Sequence, residues 1–233
     1  MLKILFRLII YLGCHPRRQQ KFLKLLAKIE HGVAIFCFKL AAIARRESRH
    51  DLADSLESHA NDEKRHGKML SSLAGDKINL TDNGQFTELY KDGVLVVSKP
   101  YSTPTIHLQG IHYSGSFENL DGLSLRYLSL RMLFKGKSAI DFPWEDRLAF
   151  MQVLEGVTQK FYAQLSQYSR VESIRAIALK IAVDEITHAD YLKYVCKEFR
   201  PDILKWEAQL NWAILGLMVD VVDILKSGKN DYI

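Results

Sequence analysis

The chain has 233 residues, of which 48% are hydrophobic and 25% are charged. This length suits one domain with a sizeable core, and the balance of apolar and charged residues excludes a chain dominated by disorder. The cysteines Cys14, Cys37 and Cys196 lie far apart in the sequence. Their number and spacing predict reduced thiols in a cytoplasmic protein, and they match neither a disulfide framework nor a cysteine metal motif.

The net charge of +5 is concentrated at the N-terminus. Residues 1–29 carry seven lysines and arginines and no acid, which leaves −2 for the remainder of the chain. Such a stretch binds an anionic membrane surface, an acidic protein or nucleic acid, or it is a solvated helix face. No nucleic-acid motif accompanies these charges, so no nucleic-acid partner is expected.

Two apolar stretches are too short to span a bilayer, which takes about 20 apolar residues. The first, residues 1–13, is interrupted by Lys3 and Arg7 and has no signal cleavage pattern, and the second covers residues 210–219. Each is expected either to lie at a membrane interface or to pack against the core.

Helical periodicity predicts a helical hairpin over residues 16–74. Its first helix opens near Pro16 and runs to about Arg49, and its second runs from about Leu52 to Ala74. Proline suits a helix start because the N–H group that it lacks needs no partner there.

The pattern changes between residues 75 and 142 to that of a long crossover connection. Turn residues cluster at Thr81-Asp82-Asn83-Gly84, and Asp92-Gly93 precedes a β-rich run from Val94 to Val97. These signals predict some β-hairpin structure, together with one short helix near residues 123–134.

A second helical hairpin is predicted over residues 143–199. Its first helix starts at Pro143 and ends near Tyr168, and Ser169 with Glu172 is predicted to form a capping box for the next helix. A capping box pairs both side chains with backbone N–H groups that the first turn leaves free.

The predicted fold is therefore all-α, with a single domain over residues 1–233. Two helical hairpins joined by one long crossover form a four-helix bundle, because a direct turn between antiparallel neighbours needs only a few residues. After the break at Arg200-Pro201-Asp202, an additional C-terminal helix is predicted over residues 203–226.

The two predicted hairpins repeat one pattern, a lone glutamate followed one helix later by Glu-x-x-His. Glu30 precedes Glu63 by 33 residues, and Glu155 precedes Glu185 by 30. The six residues are Glu30, Glu63 and His66 in the first hairpin and Glu155, Glu185 and His188 in the second. One Glu-x-x-His is common by chance, but two copies at matching places indicate a shared site.

The environment of these residues predicts that they are buried. Residues three apart share a helix face, so the glutamate and histidine of each motif project the same way. The positions three, four and seven residues from Glu30 are Leu23, Leu26, Ala27, Val33, Ala34 and Cys37. Buried carboxylates need partner cations, and because few lysines or arginines are expected on these faces, the pattern predicts bound metal ions.

With these residues the chain resembles the ferritin-like diiron carboxylate proteins, over about residues 16–74 and 143–199. The run Asp62-Glu63-Lys64-Arg65-His66 is similar to the motif of soluble diiron monooxygenases and acyl-carrier desaturases. The second copy departs from that motif because it has Thr187 where the motif has arginine.

The resemblance implies a ferritin-like bundle that holds two iron ions, with manganese or a mixed pair as alternatives. Glu63 and Glu185 would bridge the ions, and each ion would have a terminal glutamate and a histidine from its own hairpin. Asp62 and Asp184 would each hold the imidazole N–H of the opposite hairpin's histidine, or else be exposed acids.

Three further residues lie on the same faces and have two interpretations each. Thr158 passes a proton to bound oxygen or bonds its own backbone, and Tyr162 is an electron relay or a core residue. His59 is an additional ligand or a hydrogen-bonded buried histidine, and the sequence favours the second interpretation.

The function that the resemblance implies is an oxidase or oxygenase that uses dioxygen to oxidise an apolar organic substrate. It would need an external electron donor such as a ferredoxin, which the basic stretch over residues 1–29 is expected to dock, with peripheral membrane contact as the alternative. A homodimer is compatible with the sequence. The alternatives are a ferroxidase or peroxide-reducing protein similar to bacterioferritin or rubrerythrin, and a non-enzymatic helical scaffold.

Overall fold

The computed structural model describes residues 2–75, 142–200, 202–208 and 222. The described part of the chain is helical, with short turns between helices. Besides the helical residues 203–208, the described residues form five helices: α1 (Leu2–Gly13), α2 (Gln19–Arg46), α3 (His50–Leu73), α4 (Trp144–Tyr168) and α5 (Glu172–Phe199). The predicted all-α hairpins over 16–74 and 143–199 are confirmed as two long helix pairs.

The two hairpins pack together as a bundle. Helix α2 runs alongside α3, α4 runs alongside α5, and α3 also contacts α5. A hydrogen bond ties the hairpins at one end, because the Trp144 indole N–H donates to Glu47 Oε2 over 2.6 Å. This bond fixes the start of α4 beside the turn that joins α2 to α3.

The side chains inside the bundle form two apolar clusters at different heights. In α2 the residues before Glu30 belong to one cluster and those after it to the other, and the same division occurs around Glu63, Glu155 and Glu185. The glutamates therefore lie between two hydrophobic layers, which exclude water from both directions.

Helix α1 was not predicted as a helix, although one of its two expected placements, packing against the core, is present. Phe6, Ile9, Ile10 and Gly13 are buried, and they recur with the period of a helix face. This face lies against α4 and α2 and extends the apolar cluster at that end of the bundle.

Two predicted helix starts are wrong in detail. Pro16 lies in a turn, where the His15 carbonyl accepts hydrogen bonds from the N–H groups of Arg18 and Gln19, so α2 begins three residues after the proline. Ser169 caps no helix, because its hydroxyl instead accepts the Val171 N–H at 3.2 Å. The predicted capping box is therefore absent.

Other predictions fall outside the described residues. The β-hairpin and the short helix of the crossover lie within residues 76–141, and most of the C-terminal helix lies within residues 209–221 and 223–226. Residues 203–208 are helical, as the predicted C-terminal helix requires.

Candidate metal centre

The six predicted ligands meet in the centre of the bundle, one or two from each of the four long helices. Their exposed fractions are 3% or less, although four of the six are glutamates, a residue type that is rarely buried without a partner. The six residues are Glu30 on α2, Glu63 and His66 on α3, Glu155 on α4, and Glu185 and His188 on α5.

Their donor atoms form two groups whose geometry suits metal binding. The first group is Glu30, Glu63, His66 and Glu185, and the second is His59, Glu63, Glu155 and His188. Within each group every ligand atom lies within 4.8 Å of the others. Because Glu63 belongs to both groups, the two candidate positions are adjacent and share a carboxylate.

Glu63 and Glu185 both lie between the histidines of the two positions. Glu63 Oε1 is 3.8 Å from His66 Nδ1 and 3.2 Å from His188 Nδ1. Glu185 directs Oε1 to His66 Nδ1 at 3.6 Å and Oε2 to His188 Nδ1 at 3.3 Å. Both carboxylates therefore face the histidines of both positions, and Glu63 is the one that belongs to both donor groups.

The hydrogen bonding of the centre shows that these residues fit a cation. Five buried donor atoms in the described residues of the two groups have no hydrogen-bond partner: His59 Nε2, Glu63 Oε1, His66 Nδ1, Glu155 Oε1 and Glu185 Oε1. A buried polar atom without a partner costs about 1–3 kcal/mol. Five that converge on one region match a set of ligand atoms, because a metal ion would satisfy all of them together.

The four carboxylates form two pairs, and the pKa values are raised in one pair and lowered in the other. Burial and the nearby charge of Glu63 raise the pKa of Glu30 to about 8. Burial and the charges of Glu155 and Glu63 also raise the pKa of Glu185. At Glu63 and Glu155, burial is outweighed by contacts with the histidines, and both pKa values are lowered.

Two histidines, His59 and His66, carry the protons that compensate the negative charge of the buried carboxylates. Burial lowers the pKa of His59, but the charge of Glu155 and contacts with Glu155 and Glu63 outweigh it and raise the pKa to about 9. Burial also opposes the proton on His66, whereas Glu30 and Glu63 raise its pKa to about 10. Without an ion, these protons balance the charge of the centre, and a bound metal would displace them.

The outer nitrogens of both motif histidines contact aspartates from the opposite hairpin. His66 Nε2 is 3.1 Å from Asp184 Oδ2, and His188 Nε2 is 3.4 Å from Asp62 Oδ2. Since a carboxylate only accepts hydrogen bonds, each Nε2 carries a proton, so Nδ1 is the nitrogen that would bind an ion once the additional proton of His66 is displaced. The crossed contacts that the resemblance implies are thus present.

A single arginine connects the two aspartates. Arg65 contacts Asp62 and also places Nη1 3.2 Å from Asp184 Oδ2. Its guanidinium can serve both hairpins because it presents several N–H donors in a fixed plane. One arginine from the first motif therefore contacts the aspartates of both motifs, and Thr187 occupies the corresponding position in the second.

Tyr162 and Thr158 both reach the margin of the centre. The buried Tyr162 hydroxyl donates a hydrogen bond to Glu30 Oε1, so this core tyrosine also contacts a candidate metal ligand. The Thr158 hydroxyl donates to the carbonyls of Leu154 and Glu155, as a helix threonine commonly does, and lies 3.4 Å from Glu155 Oε2.

His59 and Tyr191 form a contact that sequence reasoning missed. His59 is 1% exposed, and its Nδ1 is 2.7 Å from the Tyr191 hydroxyl. The interpretation of His59 as a hydrogen-bonded buried histidine is correct for this nitrogen, whereas Nε2 faces Glu63 and Glu155, two other residues of the second donor group. The available signal was spacing, because Tyr191 follows His188 by three residues and shares its helix face.

No protein-family model, curated protein or solved structure matches the chain. The interpretation of the centre therefore depends on its residues and their geometry. Among the described residues, no helix is long and apolar enough to cross a membrane.

Proposed function

We propose that this protein is a non-haem diiron oxidase or oxygenase, which uses dioxygen to oxidise an apolar organic substrate. The observation that carries the proposal is the pair of buried donor groups that share Glu63 at the centre of a four-helix bundle. Mixed carboxylate and imidazole donors suit iron and also manganese. When bound, paired iron supplies the electron transfer to dioxygen that protein side chains alone do not provide.

The residues of the chain would prepare this centre in three ways. Asp184 and Asp62 hold the histidine protons on Nε2, so that both Nδ1 atoms remain available as ligands. The Tyr162 hydroxyl orients Glu30 by donating a hydrogen bond to it. The apolar layers on either side keep water away, which protects reactive species and strengthens charge interactions.

The electron balance of such a reaction requires a partner. Reduction of both oxygen atoms of dioxygen to the oxidation level of water takes four electrons. Oxidation of an organic substrate supplies two of them, either by insertion of one of those oxygen atoms, with the other released as water, or by loss of two hydrogens, with both released as water. We propose that an external carrier, such as a ferredoxin, supplies the other two. No flavin-binding or iron–sulfur motif is evident in the sequence to take that role.

Metal analysis of the full chain tests the proposal. Protein purified without added metal is analysed, stripped, loaded anaerobically with ferrous iron and then exposed to dioxygen under optical spectroscopy. The expected result is two ions per chain and an oxygen-dependent absorption change. Failure of the chain to bind paired ions would overturn the proposal.

Two variants and one control sharpen this experiment. Glu63→Ala or Glu185→Ala should abolish the paired site, because each removes a carboxylate that lies between both positions. Glu172→Ala removes an exposed glutamate from the start of α5 and should leave two ions bound. Oxidation of many ferrous ions per chain with formation of a ferric mineral would instead support the ferroxidase alternative.

A further inference from the structure

His59 presents an unsatisfied nitrogen to the second donor group. It lies on α3, four residues before Glu63, and its side chain is fully enclosed. Its Nε2 atom is 3.3 Å from Glu63 Oε1 and 3.5 Å from Glu155 Oε1, and it has no hydrogen-bond partner. Both oxygens belong to carboxylates of the second donor group, so Nε2 is directed at the place where an ion would bind.

Two contacts fix the direction of this nitrogen. The Tyr191 hydroxyl lies 2.7 Å from Nδ1, on the opposite edge of the ring from the carboxylates. The ring also stacks on His188, with 3.8 Å between centroids and 26° between planes. His59 and His188 therefore present nitrogens side by side to the same Glu63 oxygen.

The two candidate positions differ in the number of nitrogens that they offer. The group of Glu30, Glu63, His66 and Glu185 contains one histidine, whereas the group that includes Glu155 contains two, His59 and His188. We propose that His59 Nε2 is a direct ligand at the second position, so that the two ions have unequal coordination. This inference rests on the proposed metal site and adds a ligand beyond the six of the duplicated motif.

The competing role for His59 is that of a hydrogen-bond donor or cation that neutralises Glu63 and Glu155. The two roles have opposite consequences for metal affinity. Removal of a ligand weakens binding at one position, whereas removal of a competing cation leaves affinity unchanged or strengthens it. The roles also differ in the proton, because a ligating Nε2 requires the proton to be on Nδ1, which donates it to Tyr191.

Titration of the metal-free full chain with Co²⁺, followed by optical spectroscopy, separates the roles. The wild type should bind two ions. His59→Ala should lose about 100-fold or more in affinity at one position, since even a residue that only orients a ligand is worth about 10–100-fold. The other position should change little, and millimolar imidazole should restore the lost spectrum by filling the vacated space.

His31→Ala is the matched control, because His31 is a partly buried histidine of α2 that lies outside both donor groups. It should retain both ions. Ring ¹⁵N NMR of the Zn²⁺-loaded wild type gives a measurement that depends on no variant. It should show the His59 Nε2 resonance at a metal-bound shift, with the proton on Nδ1.

The outcomes separate this inference from the proposed function. If the wild type binds two ions and His59→Ala binds both with equal or higher affinity, His59 is a donor or cation and the inference is wrong. A protonated His59 Nε2 in the Zn²⁺-loaded protein would overturn it equally. If the wild type binds no pair of ions, the proposed function fails first.

Discussion

At the scale of single residues, the centre consists of buried charged groups that each cost free energy alone and that compensate one another's charge. Burial of a carboxylate without a partner costs several kcal/mol, and the bundle buries four. Lys39 is the one lysine or arginine among the buried residues that the structure describes. The histidines and a bound cation are therefore the natural counter-charges, and the residues that orient those histidines become important.

The contact between Asp184 and His66 gives a prediction at this scale. Asp184→Asn replaces the carboxylate that accepts the Nε2 proton with a weaker acceptor. Metal affinity should fall about 10 to 100-fold, because His66 becomes a poorer and less well oriented ligand. Competition with a chelator measures the affinity.

Asp190→Asn is the control for this change, since Asp190 is an exposed aspartate on the same helix. Its affinity should match that of the wild type. If both variants bind metal equally well, the aspartate contacts have no part in holding the ligand histidines.

At the scale of elements, close approach of α2 and α3 depends on a glycine. A Cβ added at Gly67 would lie 2.6–2.8 Å from ring atoms of His31, which is closer than real Cβ atoms come. Gly67→Ala should therefore destabilise the protein by about 1–3 kcal/mol, the usual cost of overpacking a core. Urea unfolding of the metal-free protein measures the change.

Gly156 provides the comparison, because it also follows a predicted ligand and a Cβ there meets nothing within 4 Å. Gly156→Ala should be neutral or stabilise the protein by up to about 1 kcal/mol, since alanine favours helix. Equal losses in both variants would show that the approach of α2 to α3 does not depend on Gly67.

Helix α1 has an exposed apolar face as well as a buried one. Ile4, Leu8 and Tyr11 are 75%, 45% and 67% exposed, and they follow one another at helical spacing. Lys3 and Arg7, which immediately precede Ile4 and Leu8, are also exposed. Apolar and basic side chains on one helix face are typical of helices that lie on an anionic membrane surface.

We expect this face to bind anionic vesicles. A variant with Ile4→Ser, Leu8→Ser and Tyr11→Ser should lose co-sedimentation with phosphatidylglycerol-containing vesicles by about tenfold or more, which corresponds to ~1.4 kcal/mol. Added salt should weaken binding of the wild type, because the charge attraction is screened.

The control variant removes a similar exposed apolar set from α5, namely Leu179→Ser, Val183→Ser and Ile186→Ser. It should bind vesicles as the wild type does. If the wild type fails to bind anionic vesicles and salt instead slows its reduction by an acidic electron carrier, the carrier is the partner of the basic stretch.

At the scale of the whole molecule, the centre links stability to pH. In the metal-free protein the pKa values of Glu30, His59 and His66 rise on folding to about 8, 9 and 10. A raised pKa contributes stability at low pH that is lost as the pH rises through the folded value. The free energy of unfolding should therefore fall between pH 6.5 and 9.

Other groups oppose this trend at acidic pH. The lowered pKa values of Glu63 and Glu155 contribute stability that is lost as the pH falls below about 4.5. Burial, followed by the charges of Lys68 and Lys64, lowers the pKa of His31 to about 4, so its contribution is lost below about pH 6.5. Between about pH 4.5 and 6.5 the contribution of His31 rises, whereas the contributions of Glu30 and Glu185, whose pKa values are raised, fall, so the metal-free protein should be most stable near the acidic end of this range.

Thermal unfolding at several pH values, with and without saturating Mn²⁺, tests this linkage. Bound metal should remove or reverse the loss above pH 6.5, because the ligands are then held without protons. Glu30→Gln should make the slope of the metal-free protein shallower. A metal-free protein whose stability is flat or rises from pH 6.5 to 9 would contradict the assigned pKa shifts.

The sequence alone predicted the parts that depend on local spacing. Helical period defined both hairpins, and the duplicated Glu-x-x-His placed Glu63 with His66 and Glu185 with His188, because residues three apart share a face in any helix. It could not predict the missing capping box, since the Ser169 hydroxyl had a nearer backbone partner. Helix α1 was missed although its buried residues Phe6, Ile9, Ile10 and Gly13 recur with the period of a helix face.

Only the tertiary structure decided which residues from different helices meet. His59 and Tyr191 are 132 residues apart, and Arg65 reaches Asp184 from the other hairpin. Such contacts depend on the register and rotation of one packed helix against another, which are set by side-chain packing across the whole core. The duplicated motif was therefore readable from the sequence, whereas the unequal nitrogen content of the two positions required the folded bundle.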